Sequence, residues 1–197
     1  MKKKKFSIGG TIFFMVCCAA VVIGIYLAIS RGRSNTTEEI DFKETEAGIL
    51  LKKDLLTDYP ATPREVLKLY CRITKCIYND ELEPKIVEKL CKKIRELYSV
   101  ELLEANPETE MLGLLLGEIA KYREKKMTIY SYAIDSGINA KSLKTKAGDT
   151  TIYNMYFTLR SGGTMDRAYE EFSLIKDSAG RWKIAGWRST ESLSITE

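Results

Sequence analysis

The feature that most restricts this chain is a run without charge near its start. Phe6 to Ser30 reads FSIGGTIFFMVCCAAVVIGIYLAIS and holds no Asp, Glu, Lys or Arg. A bilayer's hydrocarbon core is about 30 Å thick and takes about 20 apolar residues of helix. In lipid a lone segment satisfies its own backbone only as a helix, so the sequence predicts one transmembrane helix over residues 6–30. Residues 1–5 are a basic tail with Lys2, Lys3, Lys4 and Lys5, and acids follow the run at Glu38, Glu39 and Asp41. The positive-inside rule then places the N-terminus in the cytoplasm and everything after residue 30 outside the cell membrane. A second reading is a signal peptide cleaved after Ala28-Ile29-Ser30, which releases a secreted domain; its apolar core exceeds the usual length of about 7–15 residues. Cys17 and Cys18 do not follow a small residue as a lipoprotein site requires. Each reading exports residues 31 onward.

Charge and missing residue types exclude several chemistries. Thirty-one basic residues face 27 acidic ones, and the surplus of four equals the N-terminal lysine run. No basic excess remains on the exported part to meet nucleic-acid phosphates. The chain has no histidine. Ser-His-Asp triads, Cys-His pairs and His-containing zinc sites are therefore excluded. No Gly-rich phosphate loop and no C-x-x-C is present, so neither a metal nor a cofactor is expected.

Residues 31–58 read as a juxtamembrane linker: a polar tether over 31–46, then Ile49, Leu50, Leu51, Leu55 and Leu56 as a short strand or turn against the domain. The domain proper is expected over 59–197. Its first half predicts three helices. Thr62-Pro63-Arg64-Glu65 is a capping box with proline at the first helical position. Pro84 opens the second helix, and Asn106-Pro107-Glu108 the third, with Asn106 as cap. Apolar residues recur at spacings of three and four: Val66, Tyr70, Ile73 and Ile77; Ile86, Leu90, Ile94 and Leu97; Met111, Leu115, Ile119 and Tyr122, the last widened by Leu112, Leu114 and Leu116. If residues 63–79 and 84–98 pair antiparallel, Cys71 and Cys91 come level and a disulfide is open to them in an exported domain. Buried free thiols are the other reading.

From Lys126 the period becomes two. Strands are expected around Thr128–Ile134, Tyr153–Leu159, Ala168–Leu174 and Trp182–Trp187, separated by turns at Ser161-Gly162-Gly163 and Asp177-Ser178-Ala179-Gly180. Residues 137–149 read as a loop or a short edge strand guarded by lysines. Helices followed by a meander give an α+β fold: three helices packed on one face of a curved antiparallel sheet, whose other face is left open.

Thr62-Pro63-Arg64-Glu65-Val66 opening an amphipathic helix, the order of three helices before long strands, and Gly180-Arg181-Trp182-Lys183-Ile184 after a turn together resemble nuclear transport factor 2-like domains over about residues 60–190. The likeness is greatest to membrane-anchored, exported bacterial members. It implies a cone with a cavity between helices and sheet, frequent dimerisation through the open sheet face, and, in the enzymes, an Asp or His inside the cone for isomerase or dehydratase work.

By strand parity Asp135 and Glu170 are the carboxyls that can turn inward, with Tyr132 or Tyr156 as a partner acid. Asp135 also reads as a turn residue, and Glu170 stands beside Glu171, so one of that pair faces water. Tyr132, Tyr156 and Trp182 are the aromatic ligand-binding candidates, against ordinary strand composition. The leading expectation is a non-enzymatic interaction or assembly module, bound to lipid through residues 6–30 and to a second copy or a protein partner through the open sheet face. A ligand-binding or isomerase-like cone is the alternative.

Overall fold

Capping and turn residues set the outline of this chain, and apolar periodicity fills it. A computed structural model describes residues 45–137, 140–145 and 148–191. The run 6–30 and residues 31–44 lie outside them. Among the described residues no helix is long and apolar enough to cross a membrane. Those residues belong to one unit, Phe42–Glu197. It is an α+β structure whose helices precede an antiparallel sheet.

Five helices are described: α1 Glu46–Lys52, α2 Pro63–Asn79, α3 Pro84–Arg95, α4 Val100–Ala105 and α5 Glu108–Glu124. Three of them start at or beside the proline signals. At α2 the capping box is complete: Thr62 Oγ1 accepts from the Glu65 amide at 3.2 Å, and Glu65 Oε2 accepts from the Thr62 amide at 3.1 Å. The expected strand or turn at Ile49–Leu51 is instead helix α1. Thr45 caps it through the Gly48 amide, and Ala47 and Leu50 are buried in the core. The unexpected α4 follows Ser99, whose Oγ accepts from the Leu102 amide. Asn106 does not cap α5; its Nδ2 donates to the Leu102 carbonyl at the end of α4, and Pro107 takes the cap position.

The strands are β1 Met127–Ile134, β2 Lys141–Thr145, β3 Gly148–Ser161, β4 Thr164–Lys176 and β5 Trp182–Thr190. Their order is β1-β3-β4-β5, with β2 sharing the β1 edge of β3, so residues 141–145 form the edge strand and not the loop. Gly162 and Gly180 hold φ of 58° and 76° in the two expected turns, a conformation that favours glycine. On one face Met155, Phe157, Phe172, Leu174 and Ile184 are buried, with α2 packed across them. On the other face Glu171 pairs with Arg188 at 2.8 Å, and Tyr156 lies edge-on to Tyr169. The far edge of β5 is closed by Leu97–Ser99: the Ile184 amide donates to the Leu97 carbonyl and the Ser99 amide to the Ile184 carbonyl, each at 2.8 Å.

The Cys71–Cys91 pairing does not form. Cys71, Cys76 and Cys91 are free and buried. Cys71 turns away from α3 toward the sheet, where its Sγ lies 3.6 Å from Met155 Sδ. Burial pushes the Cys76 thiol up to about 12, and a hydrogen bond to Asp80 adds to the shift. All three thiols should therefore stay unmodified by iodoacetamide at pH 8 in the folded chain and react on denaturation, as counted by mass spectrometry. Rapid labelling of Cys71 would contradict this packing. Thr62→Ala should lower unfolding stability by about 1 kcal/mol in a denaturant titration.

Candidate functional site

α2 carries Tyr70, Thr74 and Tyr78 at intervals of four, so their side chains form one stripe. With Ile77, Ile94 and Tyr98, and with Met111, Leu115 and Glu118 of α5, they line a cavity of about 210 Å³. Its wall contains two charged residues, Glu110 and Glu118, both acidic. Tyr122 packs against Tyr78 with ring centroids 4.5 Å apart. Trp187 stacks on Phe172 at 5.7 Å and leans on Tyr70 and Tyr98. Tyr78 donates a short hydrogen bond to Glu118.

Glu170 lies behind this aromatic group. On β4 it pairs with Met155 of β3 and Ser189 of β5, and its side chain turns inward while that of Glu171 turns outward. Its Oε2 is buried and accepts no hydrogen bond among the described residues. The Thr74 hydroxyl is likewise buried and unpaired. Burial, and then the charge of Glu118, push the Glu170 carboxyl up to about 7. Burial raises the hydroxyls of Tyr70, Tyr78 and Tyr98 above the usual tyrosine range, and the Glu170 charge adds to it in each case. A buried carboxyl poised near neutrality, with aromatic hydroxyls around it, accepts a hydrogen bond or a positive charge from whatever enters.

The other expected site residues are dispersed. Asp135 is buried at the end of β1, beside Tyr153, with its carbonyl accepting from Arg64 Nε at 3.2 Å. It serves the turn and does not join Glu170. Tyr132 packs on Phe157 near Arg72, outside the cavity. Tyr156 is on the opposite sheet face under Arg167. Trp182 lies under the Lys176 ammonium, and its carbonyl accepts from Tyr59. The aromatic residues that do surround Glu170 come mainly from helices; the i, i+4, i+8 stripe of Tyr70, Thr74 and Tyr78 was the signal for them.

A larger hollow of about 530 Å³ lies beyond Tyr98, lined in part by Tyr59, Arg95, Arg181 and Lys183. Its polar groups are engaged: Arg181 pairs with Asp177 at 2.9 Å, and Lys183 donates to the Glu96 carbonyl at 2.6 Å. The smaller cavity, with the unpaired Thr74 in its wall and Glu170 near its tyrosines, is the better site. Among the described residues no group of His, Cys, Asp and Glu is placed to hold a metal ion.

A family model described as Domain of unknown function (DUF6715) matches residues 1–187. The chain belongs to this family. No curated protein matches it. In this DUF6715 chain the match begins ahead of the charge-free run and ends at Trp187, so it takes in both the run and the cavity.

Glu170 gives a sign to the pH dependence. Its folded value of about 7 lies above the 4.5 of an unhindered glutamate. The folded state then holds the proton more tightly. This contribution is fully present below about pH 4.5 and is lost as pH rises through about 7. Glu170→Gln should be more stable than the parent at pH 8, by roughly 3 kcal/mol, with the difference vanishing at pH 4. Equal denaturation midpoints at pH 8 would refute the buried carboxyl.

Proposed function

We propose that this chain is a single-pass, membrane-anchored extracytoplasmic protein whose cavity among the helices binds a small ligand without chemical turnover. The anchor rests on the uncharged residues 6–30 behind Lys2–Lys5. The binding rests on the cavity, and one observation carries it: Thr74 Oγ1 and Glu170 Oε2 are buried and unpaired in and beside an aromatic hollow. Buried polar atoms without partners cost stability, and a ligand that pairs with them recovers that cost. The helices-then-meander order supports the resemblance to nuclear transport factor 2-like domains.

A second reading keeps the uncovered sheet face as an assembly surface for a second copy or a protein partner. Tyr130 and Met165 stand 52% and 59% exposed, beside the ring and guanidinium pairs Tyr130–Arg160 and Tyr156–Arg167. Tyrosine and arginine dominate such surfaces.

Two measurements test this. Protease added outside intact cells should digest residues 42–197 and spare the anchor; protection from outside protease would refute the orientation. A thermal-shift screen of small molecules on the full chain in detergent micelles should find ligands that raise Tm by about 5 °C or more at saturation. Those shifts should disappear in Thr74→Phe, which fills the cavity. Ligands that stabilise parent and filled variant alike would place binding elsewhere.

A further inference from the structure

We propose that the cavity takes an organic cation: an ammonium group held over the tyrosine rings and neutralised by Glu170 and Glu118. This rests on the cavity being a ligand site and names the ligand's chemistry. The wall sets the sign. Its two charged residues, Glu110 and Glu118, are both negative, and the unpaired Glu170, outside the lining, lies close enough to act on Tyr70, Tyr78, Tyr98 and Glu118. Arg95 is the near cation, and it is occupied: its Nη1 donates to the Asn106 carbonyl at 2.5 Å and lies 3.6 Å from Met111 Sδ.

The surfaces set the class. Tyr70, Tyr78 and Tyr98 line the hollow, and Tyr122 and Trp187 pack at a tilt against them. Ring faces attract a cation, and most strongly where water is excluded. A carboxylate ligand would meet three acids and no free cation. A neutral apolar ligand would leave Glu170 Oε2 and Thr74 Oγ1 unpaired. An ammonium ion satisfies the charge and the rings together, and a ligand hydroxyl or N–H reaches Thr74. The volume of about 210 Å³ suits a small cationic head.

The test uses the full chain in detergent micelles at pH 8, with Trp182→Phe so that Trp187 alone emits. The probes are choline, its uncharged carbon isostere 3,3-dimethylbutan-1-ol, and the anion 3,3-dimethylbutanoate. Choline should shift Trp187 emission saturably and bind at least about tenfold tighter than the alcohol. Glu170→Gln should weaken choline by about tenfold and leave the alcohol unchanged, with the circular dichroism spectrum intact. Glu118→Gln should weaken it less and serves as the second variant. Equal affinity for choline and alcohol, preference for the anion, unchanged choline affinity in Glu170→Gln, or no response to any probe each overturns the cation assignment. If the alcohol binds and choline does not, the ligand cavity stands and its charge preference falls. If no probe moves Trp187 and the screen finds no ligand lost in Thr74→Phe, the cavity reading falls as well.

Discussion

The packing of α2 across the sheet is the interaction on which everything else in this domain depends. Its apolar side supplies Val66, Leu67, Ile73 and Ile77, all fully buried, each worth about 1.5–3 kcal/mol of transfer free energy. Its end is fixed by a two-way clamp. Asn79 Nδ2 donates to the Ile129 carbonyl and the Ile129 amide donates to Asn79 Oδ1, both at 2.8 Å. That clamp sits beside the irregularity between Ile129 and Ser131, where β1 slips one residue against β3. A bulge adds local twist and breaks the ladder; here a side-chain amide satisfies the backbone groups that β1 presents to α2. The same helix holds Tyr70 against Phe172 of β4 and Trp187 of β5, with Thr74 and Tyr78 following in the row toward α5. Core and cavity share one helix, and Ile77 belongs to both.

Strand parity does the complementary work from below. Glu170 and Glu171 are neighbours, and the pleat sends them to opposite faces. Glu171 finds Arg188 and water. Glu170 finds burial, the hydroxyls of Tyr70, Tyr78, Tyr98 and Tyr122, and the charge of Glu118. Holding a carboxyl there is unfavourable, because burial without a partner opposes ionisation. The neighbouring residue Phe172, fully buried with Trp187 stacked on it and Tyr70 edge-on, holds β4 in register and so keeps Glu170 where it is. A strand that slipped by one residue would exchange Glu170 with Glu171 and relieve the cost. Phe172 and Leu174 would lose their burial in the same step, which is why the costly arrangement is the stable one.

Much of this was legible in the sequence, and the failures have physical causes. Thr62 to Glu65 announced α2 because a capping box is read from four adjacent residues. The glycine turns at 162 and 180 announced the hairpins because a left-handed backbone selects glycine. The α+β order followed from the change of period at Lys126. α1 and α4 were missed because seven and six residues hold too few turns to show a helical period. Asn106 was misassigned because asparagine serves the end of one helix as readily as the start of the next, and only one residue separates it from α5. Glu170 was found by parity. Its partners were not, since Tyr70 and Tyr98 look like core residues when only hydrophobicity is counted. A tyrosine buries its ring and keeps a polar tip, and the tips define the site. Cys71 and Cys91 came level in a helix hairpin drawn flat; in three dimensions Cys71 points down at Met155 and not across at α3.

The cavity's walls are unequal, and this bears on how anything enters it. α2 and α3 are anchored through fully buried residues such as Ile77 and Leu90. α5 is not: among its residues only Ile119 is buried, while Leu114 stands 78% exposed and Gly113 and Gly117 have open space above them. The expected stripe of Leu112, Leu114 and Leu116 is thus divided, with Leu115 and Met111 facing the hollow and Leu114 facing out at its rim. Apolar residues all round a helix with one buried side chain mean that little free energy holds it to the core. Regions with few buried contacts open at the lowest cost. α5 is also the element that carries Glu118 and Glu110, the two acids of the wall. The segment that yields most easily therefore brings the charge, and a ligand that draws Glu118 inward tightens the weakest wall of its own site.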